Sequence, residues 1–205
     1  NTVGVKVSDD WRFIGRLNGS YSEGSLGTFY DGRYLEAVTG LAYRPINNDR
    51  LNMLFKYTYF YDLPSPGQLT LGGSIADYAQ QSHILSVDAS YDVTAWLNVG
   101  GKYAYRTGDL RDNRTGGPWF ESQAHLLIGR IDLRIVKEWD VLGELRLLDV
   151  PTADDRRFGA LVAVYRHIND NIKMGVGYNF TDFSDDLTHL NYDRRGFFVN
   201  ALAKY

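Results

Sequence analysis

The sequence contains no cysteine, so disulfides and thiolate metal sites drop out, although a cysteine-free chain suits many compartments. It also lacks a surplus of basic charge. The formal net charge is -3 and the pI about 5.8, which gives no reason to expect nucleic acid as a partner. Long hydrophobic runs are missing as well: the longest uninterrupted apolar stretch is Ala160 to Tyr165, far short of the roughly 18 residues of a transmembrane helix. A mean hydropathy of -0.32 still leaves room for a membrane protein, because strands that carry apolar residues at every second position show no run at all.

Alternation of that kind runs through the chain. In Leu51 to Asp62 one face holds Leu51, Met53, Phe55, Tyr57, Tyr59 and Tyr61, and the other is dominated by Asn52, Lys56, Thr58 and Asp62. Side chains alternate across a strand, so this is one greasy face and one wet face, with a period no helix produces. The split recurs at Ile172, Met174, Val176, Tyr178 and Phe180, and at Leu127, Ile131, Leu133 and Ile135 against Arg130, Asp132 and Arg134. Weaker versions span Trp11 to Ser22, Tyr34 to Arg44, Gln81 to Asp92, Leu97 to Arg106, Val141 to Leu148 and Gly196 to Tyr205. Arg157 to His167 is apolar on both faces in its middle, so its sidedness stays open. A tilted strand crosses the hydrocarbon layer in roughly 9–11 residues, and these segments have that length.

The links alternate too. Ser8 to Asp10, Pro45 to Arg50, Asp92 to Ala95, Lys137 to Asp140 and Ile168 to Asn171 are short and rich in Asp, Asn or Pro, as tight turns require. Glu23 to Arg33, Leu63 to Ala76, Gly108 to Trp119, Val150 to Arg156 and Phe183 to Arg194 read as longer polar loops. Short turns inside and long loops outside are the asymmetry of a Gram-negative outer-membrane barrel, with the C-terminus periplasmic and the long loops extracellular. Trp11, Tyr21, Tyr43, Tyr91, Tyr105, Tyr165 and Tyr205 fall near segment ends, where aromatic girdles meet the bilayer interfaces. The expected fold is all-β: an antiparallel up-and-down transmembrane β-barrel filling 1–205, with about ten full strands and an N-terminal stub at Thr2 to Val7. Single-chain bacterial barrels normally have an even number of strands, so further sequence upstream of Asn1, or a larger barrel, is expected. The competing arrangement is a soluble sandwich or lipocalin, with the apolar face turned inward.

With the wet face inward, Arg12, Arg16, Glu36, Lys56, Asp88, Lys102, Arg106, Arg130, Asp132, Arg134, Glu144, Arg146 and Lys173 line the lumen, cations outnumbering anions. Eight strands leave an interior just filled by side chains and sixteen or more leave a channel, so a barrel of about ten would be nearly plugged. No metal, cofactor or catalytic group is expected. His83, His125, His167 and His189 make no metal-ligand pair at useful spacing, His83 and His125 fall on the lipid-facing register, and the loop cluster Asp182, Asp185, Asp186 and His189 is the nearest approach to a barrel hydrolase.

Several stretches resemble a known family, the C-terminal barrel region of large proteobacterial outer-membrane or surface proteins. They are Ser8 to Arg12, Ala42 to Pro45 with Asn48 to Asn52, Lys56 to Tyr61, Gly100 to Arg106, Asp155 to Arg157 and Gly175 to Leu187. The resemblance implies an outer-membrane location and an upstream portion of the same chain, and no catalytic residues. Phe197, Val199, Ala201, Ala203 and Tyr205 are similar to the C-terminal signal that barrel-assembly machinery recognises. The leading functional expectation is a non-enzymatic barrel that anchors or helps export a larger surface protein. The alternative is a porin-like pore for small anionic solutes, and a barrel hydrolase comes third. The expected partners are outer-membrane lipid and lipopolysaccharide, the assembly machinery and the upstream chain.

Overall fold

A computed structural model describes residues 2–23, 32–63, 78–113, 116–136, 138–169, 171–183, 185–187 and 195–203. Its strands are β1 (Thr2–Lys6), β2 (Trp11–Ser22), β3 (Gly32–Tyr43), β4 (Leu51–Leu63), β5 (Ala79–Thr94), β6 (Leu97–Arg111), β7 (Phe120–Val136), β8 (Trp139–Val150), β9 (Asp155–His167), β10 (Ile172–Asn179) and β11 (Gly196–Ala203). They form one sheet whose spatial order follows the chain, each neighbouring pair antiparallel. This is the all-β, up-and-down architecture of a barrel, in which each strand is laid beside the one just made.

Register fixes which side chains share a face. One row passes through Phe13, Leu41, Phe55, Val87, Tyr103, Leu127 and Leu147, and the next through Ile14, Gly40, Lys56, Ser86, Ala104, Leu126 and Leu148. The first row belongs to the outer face, where Leu145 is 72% and Phe158 74% exposed, whereas Ala104, Leu126 and Leu148 of the inner face are fully buried. A wall of exposed Leu, Val, Phe and Tyr with the ionic residues on its concave side is built for acyl chains, not water. The soluble arrangement would bury that face.

β9, undecided in sequence, turns Ala163 and Tyr165 inward and leaves Phe158 and Val162 outside. Tyr165 is therefore no girdle residue: its ring lies in the lumen with Lys173 Nζ 4.6 Å from the centroid. Tyr105 is not one either, since β6 continues six residues past it to Arg111. Trp11 and Tyr43, stacked 4.6 Å apart at the turn end, fit the girdle assignment, and Tyr205 lies outside the described residues.

Link lengths also differ from expectation. β8 and β9 are joined by residues 151–154 alone, a 3-10 turn over Pro151–Ala153 closed by Asp154 at φ 48, so this loop-end link is shorter than the turn-end link between β3 and β4. β5, β6 and β7 run 16, 15 and 17 residues, longer than a bilayer crossing needs. β1 and β11 are the outermost strands, and among the described residues no ladder joins them.

Candidate functional site: the lumen

All of the lumen-lining charges expected from sequence fall on the inner face by register, but the barrel treats them differently. Some are cross-linked. Glu144 on β8 sits opposite Arg130 on β7, takes its Nε and Nη2 at 3.0 and 2.9 Å on Oε2, and accepts Arg146 on the other oxygen. Asp140, also on β8, gathers His167 at 2.8 Å, Lys173, and Arg134 at 3.7 Å. Across the barrel Arg16 pairs with Glu36, whose second oxygen accepts Tyr34 Oη at 3.0 Å. These carboxylates are shielded by the wall, where pairing offsets the cost of leaving water.

Other members are not tied. Arg12, Lys56, Asp88 and Asp132 make no ion pair among the described residues. Two cavities open at the turn end of the lumen. One of about 400 Å³ is lined by Asp88, Lys102, Arg130, Asp132, Asp140 and Lys173, and one of about 540 Å³ by Arg12, Asn52, Leu54 and Asp88. Asp88 and Ser90 border both, so they form one vestibule.

At the loop end, chain that sequence alone placed outside enters the lumen. After β10 the backbone turns inward: Phe180 N donates to Ala160 O at 2.8 Å, and Thr181, fully buried, occupies space that a Cβ on Gly159 would fill. Phe183 and Leu187 then pack into one apolar cluster with Ile84, Ala104, Ala124, Leu126, Ile128, Leu148 and Val150 on the inner wall of β5 to β8. Lys102 donates to Asp185 O across the lumen. Leu187 is buried with φ 62, a backbone state leucine adopts only when its surroundings hold it there. The signal was present in the sequence as two large apolar residues four apart in an acidic segment, matched by a patch of aliphatic positions on the inner parity of β5 to β8.

The loop carboxylates do not assemble a catalytic pair among the described residues. Asp182 is held by Arg195 at 3.1 Å and Asp185 contributes a backbone carbonyl; His189 lies outside the described residues. His83 and His125 face outward, each bonded through Nδ1 to a tyrosine hydroxyl, Tyr57 at 2.7 Å and Tyr103 at 2.9 Å. Among the described residues no three His, Asp or Glu side chains converge to hold a metal ion. Of the C-terminal signal, Phe197, Val199 and Ala201 are exposed on β11, Ala203 is its last residue, and Tyr205 is not described.

The sequence matches no protein-family model and no curated protein. Among solved structures the chain is similar to a NanC porin solved in a rhombohedral crystal form, with a TM-score of 0.58 and 12% identity over 100% of this chain and 91% of that one. At this identity the likeness is one of fold.

Proposed function

We propose that the protein is a non-enzymatic outer-membrane barrel that works as a porin-like pore for small anionic solutes. In this reading the short turns and the C-terminus are periplasmic and the long loops extracellular. The observation that carries it is the inner face of the strands, a charged surface inside an apolar wall on which lysines and arginines outnumber aspartates and glutamates among the described residues, and which opens into the vestibule at the turn end. An excess of cations inside low-dielectric walls raises the local concentration of anions. The fold shared with a porin supports the same reading at the level of architecture.

Planar-bilayer recording of the refolded protein tests it. A KCl gradient should give a reversal potential displaced toward that of chloride, and substituting both Arg12 and Lys56 by Gln should move it back. Cation selectivity, or no conductance even after the β10–β11 loop is undocked by Phe183→Ala with Leu187→Ala, would overturn it. The second reading is a barrel that anchors or helps export a larger surface protein, to which the upstream chain implied by the family resemblance would belong. The inward loop favours it, because a lumen entered by Phe183 and Leu187 suits an anchor; a barrel that stays silent after undocking would establish it over the pore.

A further inference from the structure

Arg106 is the anomaly of the lumen. Its guanidinium stays charged at any ordinary pH, and it is 3% exposed. A buried charge is ordinarily paired, because an isolated one is too costly to keep from water, and the other buried charges here obey that rule. Glu144 lies between two arginines, and Asp140 between Lys173 and Arg134 with the His167 ring bonded to it. Among the described residues Arg106 has no such partner. Its one hydrogen bond is a long one, 3.4 Å from Nη2 to Gln80 Oε1, and its Nε has none. Beside it, Ser82 Oγ is also buried and unpartnered. Arg106 pairs with Ile84 in the ladder, so Gln80 and Ser82 lie on the same inward face of β5, within diagonal reach of a long side chain.

We propose that Arg106, with Ser82 and Gln80, forms a binding subsite for a small anion bearing a carboxylate or phosphate group. The guanidinium offers paired N–H donors to two oxygens of such a group, the Ser82 hydroxyl offers a further donor, and Gln80, whose Nε2 donates to Asp62 Oδ2 at 3.4 Å, positions the guanidinium through its Oε1. The subsite is capped. Ile84 and Ala124, the ladder partners on either side of Arg106, and Ala104 on its own strand belong to the cluster that Phe183 and Leu187 complete. An anion therefore reaches Arg106 when those two side chains lift. How it enters rests on the pore reading; that it binds does not.

Binding and transport can be measured separately on the full protein. In detergent at constant ionic strength, inorganic phosphate and, separately, succinate should raise the unfolding midpoint of the wild type. Arg106→Met should bind either probe about tenfold more weakly or worse, as expected for a lost charge-assisted pair, while Arg106→Lys retains part of the response. Arg106→Met should fold at least as well as the wild type in chloride, since it removes an unpaired buried charge. Equal protection of wild type and Arg106→Met, or protection of neither, would overturn the subsite. Phosphate protection that depends on Arg106 in a barrel that never conducts would leave the subsite standing and remove the pore. Anion-selective current unchanged by Arg106→Met, without protection, would do the reverse.

Discussion

Glu144 holds two guanidiniums on one carboxylate whose side chain is 2% exposed, so its removal leaves like charges facing each other across the β7–β8 ladder. Glu144→Gln should cost about 3 kcal/mol, the scale on which breaking a buried pair destabilises, read as a lower urea midpoint for loss of the folded, SDS-resistant band. Gly175 tests packing in place of charge. A Cβ there would lie 2.2 to 2.8 Å from ring atoms of Tyr165, directly opposite it on β9. Gly175→Val should therefore destabilise by about 1–3 kcal/mol, as overpacking does, and Tyr165→Ala in the same chain should recover part of the loss. The pair also explains why β9 was unreadable. Tyr165 and Ala163 make an inward apolar patch because Gly175 and Gly177 of β10 leave space for them, and no periodicity within β9 reports what its neighbour omits.

At the scale of elements, what was legible is what alternation encodes. β2 and β4 begin where the period begins, at Trp11 and Leu51, because each of their outward positions meets lipid. β5, β6 and β7 run further than read, since Gln80, Thr107 and Gly108 alternate in no hydrophobic sense once the strands pass the expected apolar belt. The lumen-facing charges were legible by parity. Their division into tied and untied groups was not, since it depends on which strand lies opposite. The β10–β11 loop was misplaced because acidic loop residues read as solvated, whereas Phe183 and Leu187 commit the segment to the lumen. Leu187→Ala removes most of a buried side chain, a change worth about 2–5 kcal/mol in a packed core. The docked loop should then release, giving faster cleavage by added protease between β10 and β11 while the rest of the barrel stays resistant.

For the whole molecule the freedom from cysteine becomes a tool, because any engineered pair reports on one distance alone. Met174 and Ala201 are ladder partners, so Met174→Cys with Ala201→Cys should form a disulfide on oxidation. Val5→Cys with Val199→Cys asks whether β1 and β11, which share no ladder among the described residues, meet in the membrane, since disulfides need Cβ atoms within about 3.5–4.5 Å. A cross-linked Val5–Val199 species on a non-reducing gel would mean that the wall closes on itself there. Among the described residues, strands β2 to β10 are laced on both sides and β1 and β11 on one. Fraying should thus travel from the rims of the sheet toward its middle, and amide deuterium uptake should be fastest in Thr2–Lys6 and Gly196–Ala203 and slowest in β5 to β7, where opening demands that two neighbours let go at once.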